Sequence, residues 1–250
     1  MGFRKKKVLI TDDDRLFLMQ MGMLMRKMGL NVTLAEDGSE LLKLVKLQRP
    51  DLIMLDVHMS ILDGVKTLKY LMEDKETADI PVVITSSDRK CETVEQCRLL
   101  GAYAFLQKPV SIRNLHETLQ DCLFMWQGFS RKYLRAPYSG EVSVMHSGKR
   151  KSYTAETLSE RGVYLITPEP LPVGTALSLE LMLEGGRSIN LKGNVIYHKG
   201  MFGGSFDSPP GMAVEFADND SESLQNVSDY VSGLLTREIK GFSSDSLVLY

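Results

Sequence analysis

The chain has 250 residues, 43% of them apolar and 25% charged, an ordinary globular composition with no apolar run long enough to span a membrane. At 28.1 kDa it exceeds the usual size of a single domain, so two domains of roughly 100–150 residues are expected. The net charge is −2: 18 Lys and Arg face 18 Asp and Glu up to Phe129, leaving 12 against 14 beyond it. Neither part is basic enough for a general polyanion binder, which argues against a DNA-binding output.

Three cysteines, Cys91, Cys97 and Cys122, are odd in number and lack CxxC spacing. Neither a disulfide framework nor a zinc site is expected, and a reducing cytoplasm fits. The start, Met1-Gly2-Phe3-Arg4-Lys5-Lys6-Lys7, is basic like an export signal, but Val8-Leu9-Ile10 is too short an apolar run before three aspartates and reads as a strand.

From there short apolar runs alternate with helical patterns. Val8–Thr11 is a buried strand, and residues 14–28 carry a helical stripe through Phe17, Leu18, Met21, Leu24 and Met25 that Gly29 stops. The methionines of this helix (Met19, Met21, Met23, Met25 and Met28) fall at core and surface positions of that stripe and do not suggest a soft-metal site. Asn31–Ala35 is the second strand, and Ser39 is expected to cap a helix to Leu47. Strands follow at 51–55, 81–85 and 103–107, and helices at 62–71, 92–100 and 112–126. Five βα units in order predict a doubly wound, parallel five-stranded domain, flavodoxin-like in class.

Past Arg131 the rhythm changes. Short strands are predicted at 141–145, 153–158, 163–167, 176–183, 189–198 and 212–216, punctuated by glycines and by Pro209-Pro210-Gly211. They predict a six-stranded antiparallel β-barrel, followed by an amphipathic helix over 221–235. That helix is acidic and lacks the basic face of a DNA-recognition helix. The boundaries expected are 1–127, 128–236 and a tail, 237–250.

Ligands of an open parallel sheet gather at the carboxyl ends of its strands. Here the first strand ends in Asp12-Asp13 and the third in Asp56; the fourth runs into Ser86, the fifth into Lys108-Pro109. One acid there could be a helix cap; three in one crevice require more. Two carboxylates about 4 Å apart repel by about 4 kcal/mol at an effective dielectric of 20. Such a cluster must hold protons or a divalent cation, and all-oxygen ligands favour Mg2+. With Asp13 and Asp56 on the ion, a free Asp56 oxygen can attack a phosphoryl donor in line while Lys108 and Ser86 stabilise the transferred group.

Asp12-Asp13, Asp56, Ser86, Phe105 and Lys108-Pro109, in this order and at separations of 43 (13 to 56), 30 (56 to 86) and 22 (86 to 108), resemble the receiver domain of two-component response regulators. The resemblance covers residues 5–126. It implies that Asp56 accepts phosphate from a sensor histidine kinase and that Asp12, Asp13, Asp56 and the backbone carbonyl of His58 hold Mg2+. It also implies that Ser86 and Phe105 form the switch, that Lys108 binds the phosphoryl group, and that the Lys108-Pro109 bond is cis. Slow autodephosphorylation and a homodimer through the receiver are further implications. An aspartate-nucleophile phosphatase would want a second acid two residues past Asp56, where His58 stands. A dinucleotide site would want glycines where Thr11-Asp12-Asp13-Asp14 stands.

The second constellation lies at the barrel. Arg131 and Arg135, four apart, can clamp phosphates, and Thr157-Leu158-Ser159-Glu160-Arg161-Gly162 offers a hydroxyl and close backbone approach. Together they resemble the PilZ domain over residues 128–236, which implies binding of cyclic di-GMP through Arg131, Arg135, Thr157, Ser159 and Gly162. Thr157 departs from the family's Asp or Asn, which reads the guanine edge; an unmatched donor there costs about 1–3 kcal/mol. The function expected is a cytoplasmic, non-enzymatic response regulator that signals through cyclic di-GMP to a downstream protein. Its rival is a phosphorylation-controlled adaptor whose barrel has lost the nucleotide and docks a protein. With only Gln127–Ser130 between the two patterns, phosphorylation is expected to change nucleotide affinity, and nucleotide the receiver.

Overall fold

The computed structural model describes residues 4–60, 62–87, 91–124, 132–183, 185–199, 209–237, 239 and 247–248. The chain divides into two compact units, one built on Lys5–Lys132 and joined by the residues from Thr236 on, the other on Tyr133–Leu235.

The first unit alternates β1 (Lys7–Thr11), α1 (Arg15–Lys27), β2 (Asn31–Ala35), α2 (Gly38–Gln48), β3 (Leu52–Asp56), α3 (Gly64–Glu73), β4 (Val82–Ser86), α4 (Cys91–Leu99), β5 (Ala104–Gln107), β6 (Val110–Ser111) and α5 (Ile112–Phe124). Strands β1–β5 form one parallel sheet in the order β2-β1-β3-β4-β5, the doubly wound arrangement expected. Every residue of β3 and β4 is buried, because helices cover both faces of the sheet. Leu9, Ile53, Leu55, Val82 and Ile84 pack with Leu41 and Val45 of α2, Leu68 and Leu71 of α3, and Cys97 of α4. The opposite parity, Val8, Ile10, Met54 and Val83, is equally buried and leaves the other face to α1 and α5.

Cap chemistry sets the helix starts more accurately than the apolar stripe does. Asp14 caps α1, accepting from the Leu16 and Phe17 amides. Asp63 caps α3, accepting from Val65. Ser39 does not cap α2: Asp37 does, accepting from Glu40, and Ser39 lies in the first turn. An aspartate two residues earlier outcompetes the serine because its carboxylate reaches the free amides and carries the charge the helix dipole favours there.

The second unit runs β7 (Arg135–Pro137), β8 (Glu141–His146), β9 (Lys149–Ser159), β10 (Gly162–Ile166), β11 (Ala176–Met182), β12 (Ser188–Lys199), β13 (Gly211–Phe216) and α6 (Ser221–Thr236). The antiparallel order β10-β13-β12-β11-β8-β9 closes because β9 also pairs with β10, giving the six-stranded barrel. The sequence shows no sign of the three-residue β7, which continues the β8 edge of β9. Val227, Val231 and Leu235 bury the apolar stripe of α6, and Tyr230 meets Tyr138 edge to face with centroids 6.0 Å apart. The tail gives no clear sequence reading; in it, β14 (Leu247–Val248) pairs in parallel with β6.

Candidate functional sites: an acid crevice and a bulged barrel cleft

At the carboxyl ends of β1 and β3, one carboxylate oxygen from each of Asp12, Asp13 and Asp56 lies within 4.8 Å of the others. Asp12 and Asp56 are buried and Asp13 is exposed. The Lys108 Nζ donates to Asp12 Oδ2 at 2.6 Å and to Asp56 Oδ1 at 2.8 Å. The His58 amide donates to Asp56 Oδ2 at 2.7 Å, and the Ser60 amide to Asp13 at 3.0 Å. Both Asp56 oxygens are thus held in fixed directions. Lys108 also sits 4.3 Å from the centre of the Phe17 ring, whose buried face shields the ion pairs from water.

The electrostatics follow from this packing. Burial, then the charge of Asp56, push the Asp12 carboxyl up to about 6 despite Lys108. Burial raises Asp56 too, opposed by Lys108 and the His58 amide. Burial would lower the Lys108 ammonium, but the two carboxylates outweigh it and the net shift is upward. A cluster this acidic, with hard oxygen donors converging on one point, has the chemistry of a divalent-cation site.

Other sequence-predicted residues are placed as follows. Ser86 ends β4, fully buried, and its carbonyl accepts from the Lys108 amide at 2.8 Å. Thr85, its neighbour, pairs in register with Asp56. Phe105 is half-buried and packs against the α2–α3 side of the sheet. The Lys108-Pro109 bond is cis. Gly64 presses so closely on β3 that a Cβ there would meet the Asp56 carbonyl oxygen at 2.0 Å, a constraint the sequence reading did not identify.

On the barrel, Arg135, Thr157, Ser159 and Gly162 line one cleft of about 360 Å³. Arg131 lies outside the described residues. Ser159 Oγ donates to the Gly162 carbonyl at 3.0 Å, closing the β9–β10 turn, and a Cβ on Gly162 would meet the Val214 carbonyl oxygen at 2.6 Å. Both residues of the motif therefore shape the turn itself. Glu160 fastens the turn from behind: its Oε2 accepts from the Leu134 amide at 3.1 Å and its Oε1 from Ser228 of α6 at 2.7 Å.

Several lining residues were not singled out in the sequence. Arg161 stands 5.5 Å from the Tyr133 ring, and Lys199 adds a further cation. Tyr164 and Tyr197 form a tilted pair with centroids 6.3 Å apart, and burial raises the Tyr164 phenol to about 12. Two of these positions depend on interruptions of strand register. Register passes from Tyr164–Thr157 to Leu165–Ala155, leaving Glu156 as an extra residue, and from Val195–Val214 to Tyr197–Ala213, leaving Ile196. A faint sequence signal exists for the first: the buried residues Tyr153, Ala155 and Leu158 are spaced by two and then by three.

Against known families, residues 8–120 match the response regulator receiver domain and residues 129–233 the PilZ domain. Protein PilH of Pseudomonas aeruginosa is 32% identical over 118 residues, 47% of this chain and 97% of that one. The polar-differentiation response regulator DivK of Brucella anthropi is 30% identical over 118 residues, 47% of this chain and 96% of its own. The transcriptional regulatory protein ZraR of Escherichia coli is 35% identical over 116 residues, 46% of this chain, which spans only 26% of ZraR. Of Histidine kinase 5 from Arabidopsis thaliana the chain spans 16%. Among solved structures, chemotaxis protein CheY4 of Vibrio cholerae is similar over 48% of this chain and 100% of its own, with 27% identity and a TM-score of 0.46.

Proposed function

The chain belongs to the response regulators, with a receiver domain joined to a PilZ domain, and on that premise we propose that it takes a phosphoryl group from a histidine kinase onto Asp56 and binds cyclic di-GMP at the barrel cleft. The observation that carries the first half is the double anchoring of Asp56, by Lys108 on one oxygen and the His58 amide on the other. Transfer forms a bond from an Asp56 oxygen to phosphorus and breaks the bond to the donor imidazole. Lys108, released from Asp56 Oδ1, follows the charge onto the phosphoryl oxygens, while Ser86 donates its hydroxyl to the same group. Asp12, Asp13, Asp56 and the His58 carbonyl would hold Mg2+, which supplies the positive charge that lets carboxylates and phosphoryl oxygens share one crevice. Slow hydrolysis of the aspartyl phosphate resets the site; no other catalysis is part of this reading.

At the barrel, Arg135, with Arg131 at the start of the same motif, clamps phosphate oxygens, and Tyr133, Arg161 and Tyr197 offer flat faces for guanine. Among the described residues no helix is long and apolar enough to cross a membrane, and we place the protein in the cytoplasm, acting on a downstream protein rather than on DNA. The functional division falls near residue 128. Incubation with acetyl phosphate and Mg2+ should label wild type and not Asp56→Asn; equal labelling would move the acceptor elsewhere. Calorimetric titration of cyclic di-GMP into wild type and Arg135→Ala tests the barrel. Absence of heat with wild type would favour the protein-docking barrel, the reading to which the departure at Thr157 points.

A further inference from the structure

Strand parity should keep Glu156 and Thr157 on opposite faces of β9. It does not. Buried and open positions alternate from Tyr153 to Ala155, and then Glu156 and Thr157 both lie outside the core before Leu158 returns to it. The cause is the bulge: Thr157 pairs with Tyr164 and Ala155 with Leu165, so Glu156 is the additional residue. Its backbone is pinned from the other edge, where the Tyr138 amide donates to the Glu156 carbonyl at 3.0 Å. The result is a carboxylate on the wall of the cleft, immediately beside the hydroxyl of Thr157.

That carboxylate is out of character with its surroundings. Arg135, Arg161 and Lys199 make the cleft attractive to phosphate, and an acid among them works against phosphate. Among the described residues it forms no salt bridge that would explain it as a structural counter-ion. Burial raises its pKa, with the charges of Lys199 and Arg135 pulling the other way. What such a group accepts is a pair of N–H donors on a neutral ligand surface. The guanine edge presents that pair, N1–H and the exocyclic amine side by side. Thr157, with one hydroxyl, cannot take both.

We infer that Glu156, carried into the cleft by the β9 bulge, is the guanine-reading residue of this barrel and replaces the acid or amide missing at Thr157. The inference rests on the cyclic di-GMP reading above and adds a specificity determinant to it. Ile196, brought onto the same cleft by the β12 bulge, gives the base an apolar wall on another strand.

The test compares cyclic di-GMP with cyclic di-IMP, whose bases lack the exocyclic amine, by calorimetry on the full-length chain. Wild type should prefer cyclic di-GMP by about tenfold or more, since a site built around a donor rejects the analogue lacking it. Glu156→Ala should lose about 10–100-fold in cyclic di-GMP affinity and most of that preference. Glu156→Gln, which keeps the shape and one acceptor, should fall between. Thr157→Asp added to Glu156→Ala should restore the preference, because it returns a carboxylate one residue away and shows that the barrel remains folded. Arg135→Ala should weaken both dinucleotides alike and leave the preference intact. If wild type binds cyclic di-GMP and Glu156→Ala binds it equally with the same preference, the inference is wrong and the ligand reading stands. If wild type binds neither dinucleotide, both fall together.

Discussion

The two sites balance charge in opposite ways. In the receiver crevice, two buried carboxylates are matched internally by Lys108 at 2.6 and 2.8 Å, so the site is folded around its own counter-ion. In the barrel cleft, Arg135 and Arg161 face outward and are exposed, and neither is tied to an acid in a salt bridge among the described residues. The first arrangement largely satisfies its charge within the fold. The second leaves its charge for a ligand to neutralise. The crevice should therefore respond to single substitutions through stability, and the cleft through binding.

The sharpest way to break that comparison is to remove the internal counter-ion. Lys108→Met leaves Asp12 and Asp56 buried with no cation, and breaking a buried pair from one side costs about 3–5 kcal/mol. Urea unfolding in EDTA at pH 8 should show a loss of that size. At pH 5 the penalty should shrink, because the carboxylates can then hold protons. A loss below about 1 kcal/mol at pH 8 would mean that water reaches the pair and that the crevice is not the dry site described.

The next effect in size comes from Asp12 itself. Its folded pKa of about 6 lies above the ordinary 3.8, so between those values the folded chain holds a proton that the unfolded chain has lost. Stability then falls as pH rises from about 4 to 6 and is flat above, with a total of order 3 kcal/mol. In metal-free buffer, Asp12→Asn should remove that slope and leave the protein more stable than wild type at neutral pH. A slope that survives the substitution would assign it to other groups.

How far each site was readable from sequence follows the same divide. Asp12, Asp56, Ser86 and Lys108 sit where parallel strands end, and strand ends can be located from apolar runs alone. Even so, the shielding ring of Phe17 and the pressure of Gly64 on the Asp56 backbone come from helices that approach in space and leave no local trace. The barrel was legible as six strands, but which side chains share its cleft was not. Register shifts at Glu156 and Ile196 put both members of the adjacent pairs Glu156–Thr157 and Ile196–Tyr197 on the cleft, where a parity argument allows only one of each. The cap of α2 differs for a local reason, since Asp37 and Ser39 are both competent cap residues and it is the Asp37 carboxylate that reaches the Glu40 amide.

Glu160 lies between the extremes, a buried acid in the barrel whose two oxygens accept hydrogen bonds from the Leu134 amide and the Ser228 hydroxyl. Glu160→Ala leaves the Leu134 amide without its side-chain acceptor and should cost about 1–3 kcal/mol, read as a lower urea midpoint. Ser228→Ala, which removes only one donor, should cost less. Equal losses from both would show that the tie to α6, and not the one to Leu134, carries the effect.

The smallest expected effect is the most discriminating. Arg135 is exposed and sits at the start of a three-residue edge strand, and its charge reaches Glu156 only through solvent-screened attraction. Arg135→Ala should therefore leave the urea midpoint within about 0.5 kcal/mol of wild type, as substitutions at exposed positions do. Its effect should appear on the ligand side alone, as a weaker response to cyclic di-GMP. If Arg135→Ala instead destabilised the protein by 2 kcal/mol or more, Arg135 would be a structural counter-ion like Lys108. The cleft would then commit one of its cations to the fold, and the contrast between a site that neutralises itself and one that waits for a ligand would weaken at the barrel.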